Sequence, residues 1–460
     1  MITSNKYSIF LFALVVLLGA CGCEKKATDE PQQTQEQIEP ADLSLIEKTV
    51  VMDGDCLWSG KPQITLRVTN PNKASVRVQA TARVYTDRKK EVEFITDSIT
   101  VPGETTQDYV LTTTDNLAPG FYSAACHVNG KKAGTLYFGI DPFDIVSAPD
   151  KQPDYDQFWQ TAKDQLATVD MNARLTEIPE RSNAGCTVYL VEMNSIPDGL
   201  SGEPVVVRGY YCEPTEGKKP VIFHFYGYDT QGATYAVDCP YGSSEYAEFY
   251  LSHRGQYLNN RPAGTNPGMD EATTNSYGDW FAYHFGDKDS YYYRGAFMDC
   301  VQAIRFVATR EACDMTRLFA EGSSQGGALC YAAAALSDYP FKAITPNVAF
   351  LGDFPDYFDL VSWPGDVAKA QAQQKGMTEE EMYAFLSYFD TKNLATRIRC
   401  AVLATSGGRD QTCPPHTNIA PFNNLQTPAA DKEYHFYPEM THDYPREWWT
   451  MIMKFFRERM

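Results

Sequence analysis

Between about residues 46 and 145, apolar and polar side chains alternate with a period of two. Ile64, Leu66 and Val68 are interleaved with Thr65, Arg67 and Thr69. Val76, Val78, Ala80, Ala82 and Val84 repeat the pattern across polar neighbours. Successive side chains of a strand point to opposite faces, so this spacing predicts strands with one buried face. Phe121 to Val128 and Gly134 to Ile140 flank Asn129-Gly130, a dipeptide that favours a tight hairpin turn. Several short strands in this span predict a small all-β, immunoglobulin-like sandwich.

From about residue 150 the pattern changes to alternating helices and strands. Asp154 to Ala167 predicts a helix, and Cys186 to Met193 and Val205 to Tyr211 predict strands. Pro220 to Phe225 is a short apolar strand running into Tyr226-Gly227-Tyr228. Arg294 to Arg310 predicts an amphipathic helix with Phe297, Cys300, Val301, Ile304 and Val307 on one face. A strand over Arg317 to Glu321 leads to a helix of small residues over Gly327 to Leu336. Ile398 to Thr405 and Glu433 to Tyr437 predict two more strands, and Trp448 to Arg457 a closing helix. Such alternation predicts an α/β fold, a mostly parallel sheet with helices on both faces. Residues 258 to 290, rich in Gly, Asn, Thr and Asp, and the helical stretch 365 to 390 read as insertions that shape the mouth of a site. No internal repeat is evident.

The first 45 residues follow neither pattern. Lys6 precedes an apolar-to-small run from Ile9 to Ala20, which is too short to span a bilayer, a task that needs about 20 residues. The run ends in Leu18-Gly19-Ala20-Cys21, which resembles a bacterial lipobox, with cleavage before Cys21 and lipid on its thiol. The segment from 21 to 45, rich in Glu and Gln, reads as a flexible tether. The expected organisation is a signal peptide over 1–20, a tether over 21–45, a β-sandwich over 46–145 and an α/β domain over 146–460.

Charge and cysteines narrow the partners. The chain carries 40 Lys and Arg against 59 Asp and Glu, a formal net charge of −19. Nucleic acid and anionic membrane surfaces are thereby excluded, leaving the lipid anchor as the expected membrane contact. Export would expose the cysteines to an oxidising compartment, with Cys56 and Cys126 a candidate bridge. Cys300, Cys330 and Cys400 lie in apolar segments and read as buried thiols. No Cys/His cluster has zinc spacing, so neither a metal nor a cofactor is expected.

The chemistry is carried by Gly322-Ser323-Ser324-Gln325-Gly326, which fits G-x-S-x-G with a strand before it and a helix after it. That context predicts a sharp turn that lifts the Ser324 hydroxyl above the sheet. A serine hydroxyl is a poor nucleophile until a base takes its proton. In this fold the acid and then the histidine follow the serine along the chain, and only His416, His435 and His442 come after Ser324. His416 lies too close to the acid candidate, and His435 sits inside a strand. His442, just past that strand, is the expected base. Asp410, after the turn Ser406-Gly407-Gly408, is the expected acid, while Asp353, Asp356 and Asp359 read as a solvated or structural loop. The main-chain N–H groups of Gln325 and Tyr228 are the expected oxyanion donors.

Further motifs occur in order. They are Arg254-Gly255-Gln256, Tyr291-Tyr292-Tyr293-Arg294, the elbow extended by Gly327, Phe350-Leu351-Gly352-Asp353-Phe354-Pro355, and Asp410 leading to Thr412-Cys413-Pro414-Pro415. With these, the stretch from about 150 to 460 resembles the acetyl xylan esterase and cephalosporin C deacetylase family of carbohydrate esterases. The resemblance implies a serine esterase that removes acetyl groups from acetylated oligosaccharides or polysaccharides. It also implies that Arg254 and Gln256 support the active-site loop, and that further copies of the chain are candidate partners in a homo-oligomer. One departure is Asp443 after the histidine, where the family usually has Glu. Competing readings are an esterase for another short-chain ester and a catalytically silent glycan-binding protein of the cell surface.

Overall fold

A computed structural model describes residues 40–460, apart from Asp53 and residues 261–267. The signal and lipidation motifs, Cys21 included, lie outside the described residues. The N-terminal alternation forms eight strands: β1 (Glu47–Val51), β2 (Leu57–Trp58), β3 (Ile64–Asn70), β4 (Val76–Thr86), β5 (Glu91–Val101), β6 (Thr105–Leu111), β7 (Gly120–Val128) and β8 (Lys131–Ile140). They make two sheets, ordered β1-β3-β6 and β2-β8-β7-β4-β5. Ile64, Leu66 and Val68 from one sheet and Val76, Val78 and Val84 from the other fill a single core, as period two requires. Asn129 and Gly130 link β7 to β8 with φ of 48° and 72°, the left-handed pair that a tight hairpin demands. Leu43–Leu45, placed in the tether on composition, forms a 3-10 turn capped by the Asp42 side chain.

The expected Cys56–Cys126 bridge is not formed. Both residues are buried in the same core, where they serve as small apolar side chains. The Cys126 thiol donates to the Ala124 carbonyl at 3.6 Å, and burial pushes it up to about 12.

Nine further strands make one sheet: β9 (Arg174–Glu177), β10 (Cys186–Ser195), β11 (Val205–Pro214), β12 (Lys219–Phe225), β13 (Ala247–Ser252), β14 (Cys313–Ser323), β15 (Phe341–Asn347), β16 (Ala401–Gly407) and β17 (Lys432–Tyr437). Their order is β17-β16-β15-β14-β12-β13-β11-β10-β9. Strands from β17 to β13 run parallel, and those from β13 to β9 antiparallel. Alternation along the central strands divides their side chains between two layers. Val221, Phe223, Leu318, Ala320 and Ile344 join the helices Tyr292–Val307 and Gln325–Leu336. Ile222, Phe319, Ala343 and Leu403 meet the closing helix Trp448–Arg457 through Ile452, Phe455 and Phe456. This is an α/β-hydrolase architecture, with both sheet faces covered.

The β7–β8 hairpin joins the two regions. Tyr122 and Phe138 face the all-β core, while Phe121 points the other way into the core of the α/β region. There Phe121 stacks on Phe436 of β17, ring centres 5.6 Å apart.

Candidate active site

β14 delivers Ser324 at the top of the sheet, between the strand and the helix Gln325–Leu336. Ser324 has φ 57° and ψ −121°, outside the ordinary regions for an L-residue. Its neighbours hold it there. The Ser324 N–H donates to the Asn347 carbonyl at 2.9 Å, and the Phe350 N–H donates to the Ser324 carbonyl at 3.0 Å. The flanking glycines are a packing necessity. A Cβ on Gly326 would overlap the Phe225 carbonyl oxygen, and one on Gly327 would lie 2.9 Å from the Ala349 Cβ. The hydroxyl is thus presented on a rigid, strained turn, half-buried.

Asp410 and His442 come together from loops that follow β16 and β17. Asp410 Oδ2 lies 2.8 Å from His442 Nδ1. The other carboxylate oxygen accepts the Thr412 and Cys413 N–H groups at 2.8 and 2.9 Å. The carboxylate is wholly buried, whereas the imidazole is 23% exposed. Ser324 and His442 line one small cavity of about 20 Å³ with Gly227, Tyr235 and Tyr444. Among the described residues no hydrogen bond joins the Ser324 hydroxyl to His442. In ligand-free sites this contact is often long and tightens on substrate binding.

The Gln325 N–H heads a helix, where first-turn amides have no intrahelical acceptor. Tyr228 follows Gly227 in the loop after β12. Its ring is fixed by Trp280 and Trp363 at 4.9 and 5.2 Å, and its hydroxyl donates to Asp279 at 2.8 Å.

Arg254 and Gln256 stand apart from the reacting atoms. Arg254 is buried and grips Asp299 through Nε at 2.9 Å and Nη2 at 2.8 Å, and reaches Asp198 at 2.8 Å. Gln256 donates to the main-chain carbonyl of Tyr235, a wall of the small cavity.

His253 touches the side chain of Gln325. Tyr293 donates to Gln325 Oε1 at 2.9 Å, which turns the Gln325 amide nitrogen toward His253 Nε2 at 3.0 Å. Nε2 must therefore accept, and Nδ1 carries the hydrogen toward Tyr292 at 2.9 Å. Burial pushes His253 down to about 4, in keeping with a neutral ring. Nothing in the sequence signals this contact, because the partners lie 72 positions apart.

The remaining histidines and the aspartate cluster fall elsewhere. His435 is on β17, 3.7 Å from Glu433. His416 Nε2 lies 3.0 Å from both Asp353 and Asp356, and Lys392 reaches Asp353 at 2.8 Å. Of the two roles read for this loop Asp353 takes the structural one, as a buried anion between two cationic partners. Burial opposes charge on His416, yet hydrogen bonds to Asp353 and Asp356 push it up to about 9. Three such ligand atoms could face a cation, but the protonated imidazole and the ammonium group already neutralise the carboxylates.

A strained serine, a carboxylate-held imidazole and a helix-end amide can together carry out acyl transfer. Residues 145–459 match the family described as acetyl xylan esterase (AXE1). Acetyl esterase Axe7A of Xylanibacter ruminicola is 26% identical over 326 residues, which span 67% of this chain and 68% of that protein. An acetyl xylan esterase from Paenibacillus sp. R4 superposes with a TM-score of 0.57 at 28% identity, covering 69% of this chain and 98% of the other. Acetyl xylan esterase 1 from Thermoanaerobacterium sp. JW/SL YS485 gives 0.54 at 26% identity, covering 69% and 96%. Since the matched span holds the whole nine-stranded sheet together with Ser324, Asp410 and His442, the chain belongs to the acetyl xylan esterase family.

Proposed function

We propose that this carboxylic ester hydrolase removes acetyl groups from xylan or xylooligosaccharides through an acyl-enzyme, with Ser324, His442 and Asp410 as its triad. The Ser324 hydroxyl attacks the acetyl carbonyl while His442 takes its proton, and Asp410 holds the imidazole in the required tautomer. The Gln325 and Tyr228 N–H groups receive the developing oxyanion. His442 then returns the proton to the departing sugar hydroxyl, and water releases acetate by the same steps. Arg254, through Asp299, and Gln256, through Tyr235, support the loops around the site. The carrying observation is the 2.8 Å contact of Asp410 with His442, together with the cavity that His442 shares with Ser324 at its strained turn. The small size of that cavity supports a two-carbon acyl group over a long chain.

The two N-terminal sheets around one core support an immunoglobulin-like sandwich. The lipobox-like segment supports export and anchoring of the chain to a bacterial membrane through Cys21.

Acetate release from acetylated xylooligosaccharides, beside hydrolysis of acetyl, butyryl and octanoyl esters, tests the reading. The expected order is acetyl fastest. Ser324→Ala is expected to lower kcat by a factor on the order of 10⁴ or more with unchanged folding. Preference for the octanoyl ester, or an active Ser324→Ala, would overturn it.

A further inference from the structure

A second, larger cleft of about 570 Å³ lies between the all-β region and the α/β region. Its size is that of a ligand pocket, typically about 300–1,000 Å³. One wall is the outward face of the β2-β8-β7-β4-β5 sheet, with Lys89 in the β4–β5 turn, Ser123 on β7 and Tyr137 on β8. The other wall carries Trp363, Arg409 and Gln411. Asp410 also lines this cleft, while its carboxylate holds His442. Trp363 stacks on Phe350 at 5.3 Å and meets Tyr228, the neighbour of Gly227 in the small cavity. The cleft therefore adjoins Asp410 itself and, through Trp363, the ring of Tyr228.

The walls are fixed against each other. Arg88, beside Lys89, pairs with Asp356 across the junction. Phe121 stacks on Phe436, and a Cβ on Gly408 would lie 2.9 Å from the Tyr137 Cβ. The lining chemistry is also specific. Trp363 and Tyr137 are half-buried rings, while Lys89, Arg409 and Gln411 are exposed donors. Among the described residues neither Lys89 nor Arg409 has a carboxylate partner, although the chain carries a net charge of −19. Rings flanked by free donors suit a ligand with C–H faces and many acceptor oxygens. A carbohydrate chain has both, and a fatty acyl tail lacks the second.

We propose that this cleft is a glycan subsite. Sugar residues adjoining the acetylated one lie against Tyr137 and Trp363, and Lys89, Arg409 and Gln411 donate to their oxygens. The all-β region thereby acts as part of the substrate site. The family match begins at residue 145, so Lys89, Ser123 and Tyr137 stand outside the part of the chain that carries the chemistry. The proposal rests on the reading of the enzyme as a carbohydrate deacetylase.

The test uses the full chain with Tyr137→Ala, Lys89→Ala and the double substitution. Acetylated xylohexaose is compared with 4-nitrophenyl acetate, which is too small to reach the cleft. For 4-nitrophenyl acetate, kcat/KM should stay within about twofold of wild type. For the oligosaccharide, kcat/KM should fall about tenfold or more in the double variant, chiefly through KM. Lys89 is exposed, so its substitution keeps the test informative if Tyr137→Ala disturbs folding. Equal loss on both substrates, or no loss on the oligosaccharide, overturns the subsite while leaving the deacetylase reading intact. A wild type that cleaves 4-nitrophenyl acetate but releases no acetate from the oligosaccharide overturns the deacetylase reading, and the subsite with it.

Discussion

Ser324 keeps a backbone conformation that costs a non-glycine residue about 1–3 kcal/mol, and the hydrogen bonds to Asn347 and Phe350 hold it there. Two buried histidines around the site have opposite pH responses. His253 is held near 4 against an ordinary value of 6.5, so its contribution to stability is complete above 6.5 and is lost as pH falls toward 4. His416 is held near 9, so its contribution is complete below 6.5 and is lost as pH rises through 9. Each shift corresponds to at most about 3 kcal/mol. Together they predict a stability maximum near neutral pH with losses on both sides. Melting temperatures from pH 4 to 10 should show it, and His416→Gln should lower the maximum and flatten the alkaline side. An unchanged alkaline limb in that variant would refute the assignment. At this scale the sequence singled out Ser324, Asp410 and His442 as candidates, because motif context and chain order are local or ordinal properties, and the fold sets Asp410 against His442 and His442 in one cavity with Ser324. The His253–Gln325 and Arg254–Asp299 contacts were not legible, since nothing local marks residues that meet 72 and 45 positions apart.

Among elements, the elbow depends on strand and helix approaching more closely than a side chain allows. Gly326→Ala places a methyl group on the Phe225 carbonyl oxygen, so it should cost about 3 kcal/mol or more and abolish esterase activity. Gly130→Ala, at φ 72° with open space around it, should cost only about 1 kcal/mol and leave activity intact. Denaturant unfolding of both variants beside wild type checks the contrast. The predicted helix over Asp154 to Ala167 appears as Tyr155–Thr168, and the strand over Pro220 to Phe225 as Lys219–Phe225. The strand β13 went unread, because Ala247–Ser252 is a short run buried on both faces that lacks alternation. The helix Pro415–Asn424 was also hidden. Proline is a poor helix former, yet Pro415 stands in the first turn, where no N–H is needed.

For the whole molecule, the all-β region is a docked part of the enzyme. Phe121, Tyr137 and Arg88 meet the α/β region directly. The proposed anchor makes a separate prediction. Cys21→Ser should move the protein from the membrane fraction to the soluble fraction with unchanged kcat/KM on 4-nitrophenyl acetate. Labelling with a radioactive fatty acid should be lost at the same time, and persistence of label would refute Cys21 as the acceptor. By itself, the sequence pointed to strands in the N-terminal part, to an α/β fold after it and to Ser324, Asp410 and His442 as candidates, because side-chain periodicity and turn chemistry are written in neighbouring residues. Only the tertiary structure decided which strands neighbour one another, that Cys56 and Cys126 stay unbridged, that His416 is an ion-paired cation, and that the all-β sheet walls a cleft beside Asp410. Each of these depends on distances between remote parts of the chain, which packing sets and local pattern does not record.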